Sequence, residues 1–230
     1  MGRGGPGDPA AGAVSGQPIT LIGLMPIPDR EMIKRFFHGV NCLGRRENLP
    51  KKTAFDLGIR NFGENRVQEA DGKIAGLSEL RSIITWHMVG HLQSNKSKSA
   101  VDLFDIIHSV DSVRLAVILN RLAKKQLPIL LEVNVSGEST KAGFSRDEVV
   151  SAMKDIKQLS NLNLVGLMTV APIVAEPEQA RPVFRKLREL RDLLGLKHLS
   201  MGMTDDFEVA LEEGATMLRI GRAIFGERRQ

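Results

Sequence analysis

Two short strings near the C-terminal end of the chain hold the residue types that cradle an anion. They are Ser200-Met201-Gly202-Met203, continued by Thr204-Asp205-Asp206, and Arg219-Ile220-Gly221-Arg222. A glycine in each lets backbone N–H groups approach an anion closely, and a helix start beside it adds partial positive charge. Two such turns side by side would form a phosphate cup. Gly202 and Gly221 serve equally well simply to turn the chain, and motifs this short do not separate the two readings. Asp205 and Asp206 would compete with phosphate for the same helix terminus. The expected donors are therefore Ser200, the Gly202–Met203 backbone and the Gly221–Arg222 backbone, with Thr204 as N-cap of the next helix.

Other residues bound the chemistry. His87 and His91 flank Gly90 four positions apart, but no third ligand stands at metal spacing, so no metal site is expected and His87 reads as a polar residue at a strand end. Arg181, Arg185 and Arg188 share one helical face, either a solvated surface or one that meets an acidic partner. Met168, Met201, Met203 and Met217 stand near strand ends, where a thioether fills core gaps or lines a planar ligand. The chain contains no Tyr, which excludes any mechanism that needs a tyrosine acid or base. Cys42 is the sole cysteine, so neither an internal disulfide framework nor a multi-cysteine zinc site is available, and a reducing, cytoplasmic setting is expected.

These residues need a scaffold, and the hydrophobic pattern supplies one. Short apolar runs fall at Ile19–Leu24, Ile59–Gly63, Thr85–Gly90, Phe104–Ser109, Ile129–Val135, Leu164–Thr169, His198–Met201 and Met217–Gly221. Helical patterns lie between them, clearest at Val113–Lys125, Asp147–Leu159, Glu178–Leu194 and Asp205–Glu213. Strands alternating with helices over 230 residues predict a single-domain (β/α)8 TIM barrel, with a doubly wound open sheet as the alternative. In such a barrel the loops after strands seven and eight commonly hold phosphate, and these are the loops singled out above. The first eighteen residues, rich in Gly, Pro and Ala, are expected to form a loose tail, leaving 19–230 as the barrel. The longest nearly apolar stretch, Leu164 to Ala175, is broken by Thr169 and Pro172 and is shorter than the roughly 20 residues of a membrane span. With 32 basic and 27 acidic residues the net charge is +5, which is no nucleic-acid signature.

Longer strings then point to a family. Phe62-Gly63-Glu64-Asn65-Arg66-Val67-Gln68-Glu69, Trp86-His87, Gly90-His91-Leu92-Gln93-Ser94-Asn95-Lys96, His108-Ser109-Val110-Asp111, Gly166-Leu167-Met168-Thr169, the Ser200 string and Arg219-Ile220-Gly221 occur in that order. Together, from about Ala54 onward, they closely resemble the pyridoxal phosphate homeostasis proteins. The resemblance implies a barrel like the N-terminal domain of alanine racemase that binds pyridoxal 5′-phosphate without an established reaction. It also implies cofactor contacts by Asn65, His87, Met168, Ser200, Gly202, Met203, Arg219, Gly221 and Arg222, with Arg219 facing the pyridine nitrogen and Asn65 near the ring. The vitamer's recipients would be pyridoxal-phosphate-dependent apoenzymes, and the molecule would be a monomer or a weak homodimer.

The family's lysine at the end of strand one, which forms the aldimine, has no counterpart here. After Ile19-Thr20-Leu21-Ile22-Gly23 come Leu24-Met25-Pro26, so Pro26 falls where the lysine belongs. Residues 24–53 read as an atypical insertion, a divergent duplication or a frame-altered segment, which makes the first strand and first helix atypical. Lys34, Lys51 and Lys52 are the candidate substitutes, although none is placed at the barrel mouth by its position. Three rival readings follow. One is a pyridoxal-phosphate-dependent racemase, which in its two-base form lacks the required tyrosine. The others are a phosphate-binding isomerase or aldolase, and a degenerate relative that binds nothing.

Overall fold

Each strand of a barrel is covered on one side by the interior and on the other by a helix, so short, nearly continuous apolar runs are what the architecture demands. In the computed structural model the described residues are 20–23, 55, 59–138 and 141–222. The expected tail, Pro26, the atypical segment and Lys34, Lys51 and Lys52 lie outside them. The strands are β1 (Thr20–Gly23), β2 (Asn61–Glu64), β3 (Thr85–Met88), β4 (Ile106–Val110), β5 (Leu127–Glu132), β6 (Leu162–Met168), β7 (His198–Met203) and β8 (Met217–Ile220). They close into one barrel in chain order, and β2 through β8 run parallel. The fold is a (β/α)8 barrel, as expected from the alternation of patterns, and not the doubly wound open sheet.

The first strand is atypical in its direction. β1 is antiparallel to both neighbours, with Thr20 opposite Gly63 and Gly23 opposite Leu218. Its last residue therefore lies at the end of the barrel where the other strands begin. In an all-parallel barrel that residue would sit at the opposite mouth, beside the ends of β2 and β8.

Among the described residues six helices pack outside: α1 (Val67–Ala75), α2 (Ser97–Leu103), α3 (Val113–Leu122), α4 (Arg146–Ile156), α5 (Arg181–Leu193) and α6 (Phe207–Glu212). Side-chain caps start two of them. Ser112 accepts a hydrogen bond from the Leu115 N–H at 3.3 Å, and Ser145 with Glu148 forms a reciprocal capping box. α5 buries Phe184, Leu187 and Leu190 along one stripe, and the main core, with Phe62, Trp86 and Phe104, lies between strands and helices. Each such side chain contributes roughly 1.5–3 kcal/mol by leaving water.

Two expectations need correction. α6 begins at Phe207, so the residue at its N-cap is Asp206 and not Thr204. The Asp206 carboxylate turns back instead and accepts the Met203 N–H at 2.6 Å, which tightens the β7–α6 turn. The Arg181, Arg185 and Arg188 face is neither simply solvated nor waiting for a partner. All three converge on Glu213, at 3.2, 3.1 and 2.9 Å, and fasten α5 to the turn before β8. Burial pushes the Glu213 carboxyl up, but the hydrogen bonds from Arg185 and Arg181 and the charge of Arg188 outweigh it and hold the group below its ordinary value.

Candidate functional site

Alternation along the strands sends every second side chain into the barrel, and the inward positions of five strands carry polar groups that meet in a chain. Asn61 Oδ1 on β2 lies 3.1 Å from His87 Nε2 on β3. His87 Nδ1 is 2.9 Å from His108 Nε2 on β4, and His108 Nδ1 is 2.9 Å from the Ser200 hydroxyl on β7. Arg219 on β8 donates from one terminal nitrogen to the Ser200 hydroxyl and carbonyl, both at 2.8 Å, and from the other to the Thr169 carbonyl at 2.7 Å. Thr169 in turn donates to the Val133 carbonyl at 2.8 Å.

The terminal acceptor fixes the proton positions. Asn61 Oδ1 can only accept, so a neutral His87 carries its proton on Nε2 and accepts at Nδ1 from His108 Nε2. His108 Nδ1 then accepts the Ser200 hydroxyl hydrogen, while the Ser200 oxygen accepts from Arg219. Every proton along the line has an acceptor, with both imidazoles neutral. Their electrostatics agree. Burial lowers the His87 pKa to about 3 against a weak upward pull from Asp105. Burial lowers His108 well below its usual range as well, helped by His87, Arg219 and His198.

Arg219 ends this chain as the buried cation of the site, 4% exposed. Burial lowers its pKa to about 10 while Asp206 and Glu132 pull it upward, so it stays charged at neutral pH. Glu132 is itself pushed up, chiefly by burial and next by Asp111, against the opposing pull of Arg219 and His91, and its Oε2 is buried without a hydrogen bond among the described residues. A guanidinium has five N–H donors. Three are engaged with Ser200 and Thr169, and the remaining two have no partner among the described residues.

The two glycine-bearing turns do come together at the open end of β7 and β8. Arg222 after β8 forms an ion pair with Asp205 after β7, bridging the loops. The individual donors differ from expectation, however. Ser200 is fully buried with its hydroxyl spent on His108 and Arg219, because strand alternation aims it inward. The Met203 N–H is taken by Asp206, the very competition its carboxylate invites. Gly202 has φ +89°, and a Cβ there would lie 2.5 Å from Ala210 Cβ and 3.0 Å from Leu218 Cδ2. The conformation and the close packing of β7 on α6 and β8 together demand glycine. Gly221 is half-buried and Arg222 is exposed at the rim.

The other expected residues scatter. His87 is fully buried in the interior, away from the rim, and His91 is on the surface beside Asp111 at 3.2 Å, so the pair is not a metal site. Met168 lies at the end of β6 in a small inner cluster with Val89, Leu130 and Met217, which favours packing for its thioether. Met203 is partly exposed at the mouth. Asn65 is exposed after β2 and lines a pocket of about 490 Å³ with Met88, Gly90, His91, Gln93 and Lys96. Gly90 is required there, since a Cβ would meet the Asn65 carbonyl oxygen at 2.3 Å. No sequence pattern marks His108, Thr169 or Glu132 as neighbours of Arg219. His108 lies in the His108-Ser109-Val110-Asp111 string, yet only the closed barrel brings it to Ser200, ninety-two positions away.

With this geometry in view, comparison places the chain. The family described as alanine racemase, N-terminal domain, matches residues 51–229. A curated relative from Aquifex aeolicus, named pyridoxal phosphate homeostasis protein, is 42% identical over 211 residues, covering 85% of this chain and 92% of the relative. This chain belongs to the pyridoxal phosphate homeostasis protein family. The Pseudomonas aeruginosa member is 44% identical over 182 residues, covering 77% of this chain and 78% of its own length. The solved structure of the Synechococcus elongatus protein PipY with PLP bound superposes with a TM-score of 0.70 at 37% identity, covering 78% of this chain and 89% of that one. Among the described residues no helix is long and apolar enough to cross a membrane, and no cluster of His, Cys, Asp and Glu could hold a metal ion.

Proposed function

We propose that this chain binds pyridoxal 5′-phosphate in the cytoplasm and serves its homeostasis, delivering it to apoenzymes without turning over a substrate. The observation that carries the reading is Arg219, a buried guanidinium with two N–H donors to spare at the mouth of the barrel. Such a group fits the unprotonated ring nitrogen of this vitamer, which accepts a hydrogen bond. The relatives' name and the ligand in PipY support it.

Each part of the site has a task under this reading. Arg219 orients the ring through its nitrogen, and the His87–His108–Ser200 chain holds Arg219 in place. Gly202, Met203, Gly221 and Arg222 hold the phosphate at the paired turns, which requires Arg222 to exchange Asp205, and the Met203 N–H to exchange Asp206, for the ligand. Met168 and Asn65 lie beneath and beside the ring. When bound, pyridoxal phosphate supplies an aldehyde and an electron sink. A fixed cation beside the ring nitrogen disfavours its protonation and makes the sink poorer. That suits storage better than carbanion chemistry, and the absence of any Tyr removes the second base of a two-base racemase.

The test is retention. Purified protein mixed with pyridoxal phosphate and desalted should keep the vitamer's absorbance, whereas pyridoxal, which lacks the phosphate, should be lost. Arg222→Ala should weaken retention about tenfold, the loss of one charge-assisted contact of roughly 1.5 kcal/mol. Loss of both vitamers by the unaltered protein refutes the reading.

A further inference from the structure

We propose that Lys96 is the amine with which this chain captures the aldehyde of pyridoxal 5′-phosphate, an inference that rests on the binding function above. The first lysine in the sequence is Lys34, so strand one and its immediate continuation offer no amine. The reversal of β1 places its last residue, Gly23, at the end of the barrel opposite the mouth. An aldehyde held at the mouth therefore needs an amine from another strand end.

Lys96 has the required position. It closes a short 3-10 turn, Ser94–Lys96, between β3 and α2, and it lines the pocket at the C-terminal ends of β2 and β3 together with Asn65 and Met88. The volume of about 490 Å³ lies in the range of small-molecule sites. Its backbone is held, because the Lys96 N–H donates to the Gln93 carbonyl at 2.9 Å and the next residue, Ser97, is fully buried.

Its surroundings also differ from those of the paired lysines. Lys73 is tied to Glu64 at 2.6 Å and Lys141 to Glu138 at 2.8 Å, contacts that hold each amine on a carboxylate. Lys96 is half-buried and has no carboxylate partner among the described residues. The other nitrogen bases that share its pocket, Arg66 and His91, are occupied by Glu69 and Asp111. An amine that no carboxylate holds and that stands in a walled site is placed to meet a carbonyl.

The step balances simply. The neutral Lys96 Nζ adds to the aldehyde carbon, the carbonyl oxygen leaves as water with the two amine hydrogens, and a carbon–nitrogen double bond remains. Borohydride then delivers hydride to that carbon and fixes a secondary amine.

The full chain is incubated with one equivalent of pyridoxal phosphate, reduced with borohydride, digested and mapped by mass spectrometry. The expected result is a phosphopyridoxyl group on the peptide that contains Lys96. In Lys96→Arg the label should fall to background and retention after desalting should weaken, while the thermal midpoint is kept. A label on Lys34, Lys51 or Lys52, or retention with no label at all, overturns the assignment of Lys96 and leaves the binding function standing. Failure of the unaltered protein to retain the vitamer overturns both.

Discussion

Mild acidification should destabilise this protein through its two interior histidines. In the unfolded chain His87 and His108 take up protons near the ordinary value of about 6.5. In the folded barrel burial keeps both neutral, His87 down to about 3. Below about pH 6.5 the unfolded state therefore binds more protons, and stability falls as pH falls. Integrated from pH 7 to pH 5.5, the loss is about 1.3 kcal/mol for each histidine and about 2.5 kcal/mol for the pair. Glu132 and Asp206, both pushed up chiefly by burial, take protons in the folded state and oppose the trend. The histidine contribution is for that reason read as a difference. Urea midpoints are measured across this window for the unaltered protein and for His108→Gln, whose side chain cannot titrate. The variant should show a pH dependence smaller by about 1.3 kcal/mol over the same interval. The His87 and His108 ring signals in NMR should stay those of neutral imidazole down to about pH 5. Equal pH dependence in the two proteins, or ring signals that titrate near 6.5, would refute the neutral chain deduced from the hydrogen bonds.

Two further outcomes test the packing that positions the site. Glu213→Gln removes the charge on which Arg181, Arg185 and Arg188 converge. It should lower stability by about 2 kcal/mol, between the surface and buried limits, because the arginine side chains are 24–53% exposed while Glu213 is 4% exposed. Calorimetry reads this as a drop in Tm of roughly 4–8 °C. Gly202→Ala puts a methyl against Ala210 and Leu218 at a positive φ. It should cost roughly 1–3 kcal/mol, be partly relieved by Ala210→Gly, and weaken pyridoxal phosphate retention by shifting the β7 turn. Full stability in Gly202→Ala would show that the turn tolerates a side chain.

The chain's own order of residues determined much of this molecule. Alternating apolar runs and amphipathic segments specify a barrel, because a strand covered on both faces must be apolar and the helices covering it must be amphipathic over the strand spacing. All eight strand positions were legible for this reason, as were the long helices. The turns at Gly202 and Gly221 were legible as neighbours because strands seven and eight adjoin in any such barrel. α1 and α2 were less visible: α2 has only seven residues, with Ser97 and Ala100 as its buried positions. Tertiary structure alone decided the rest. The direction of β1 depends on which edges of β2 and β8 it meets, and no local pattern records that. The same holds for Glu213, whose three arginines lie about thirty residues away on another helix, and for Ser200, whose hydroxyl could serve a ligand or the interior until strand register aimed it at His108 and Arg219. Hydrophobic periodicity tells which side chains are inside, because burial is a property of each position in turn. Which polar groups then meet is a property of pairs, fixed only when the barrel closes.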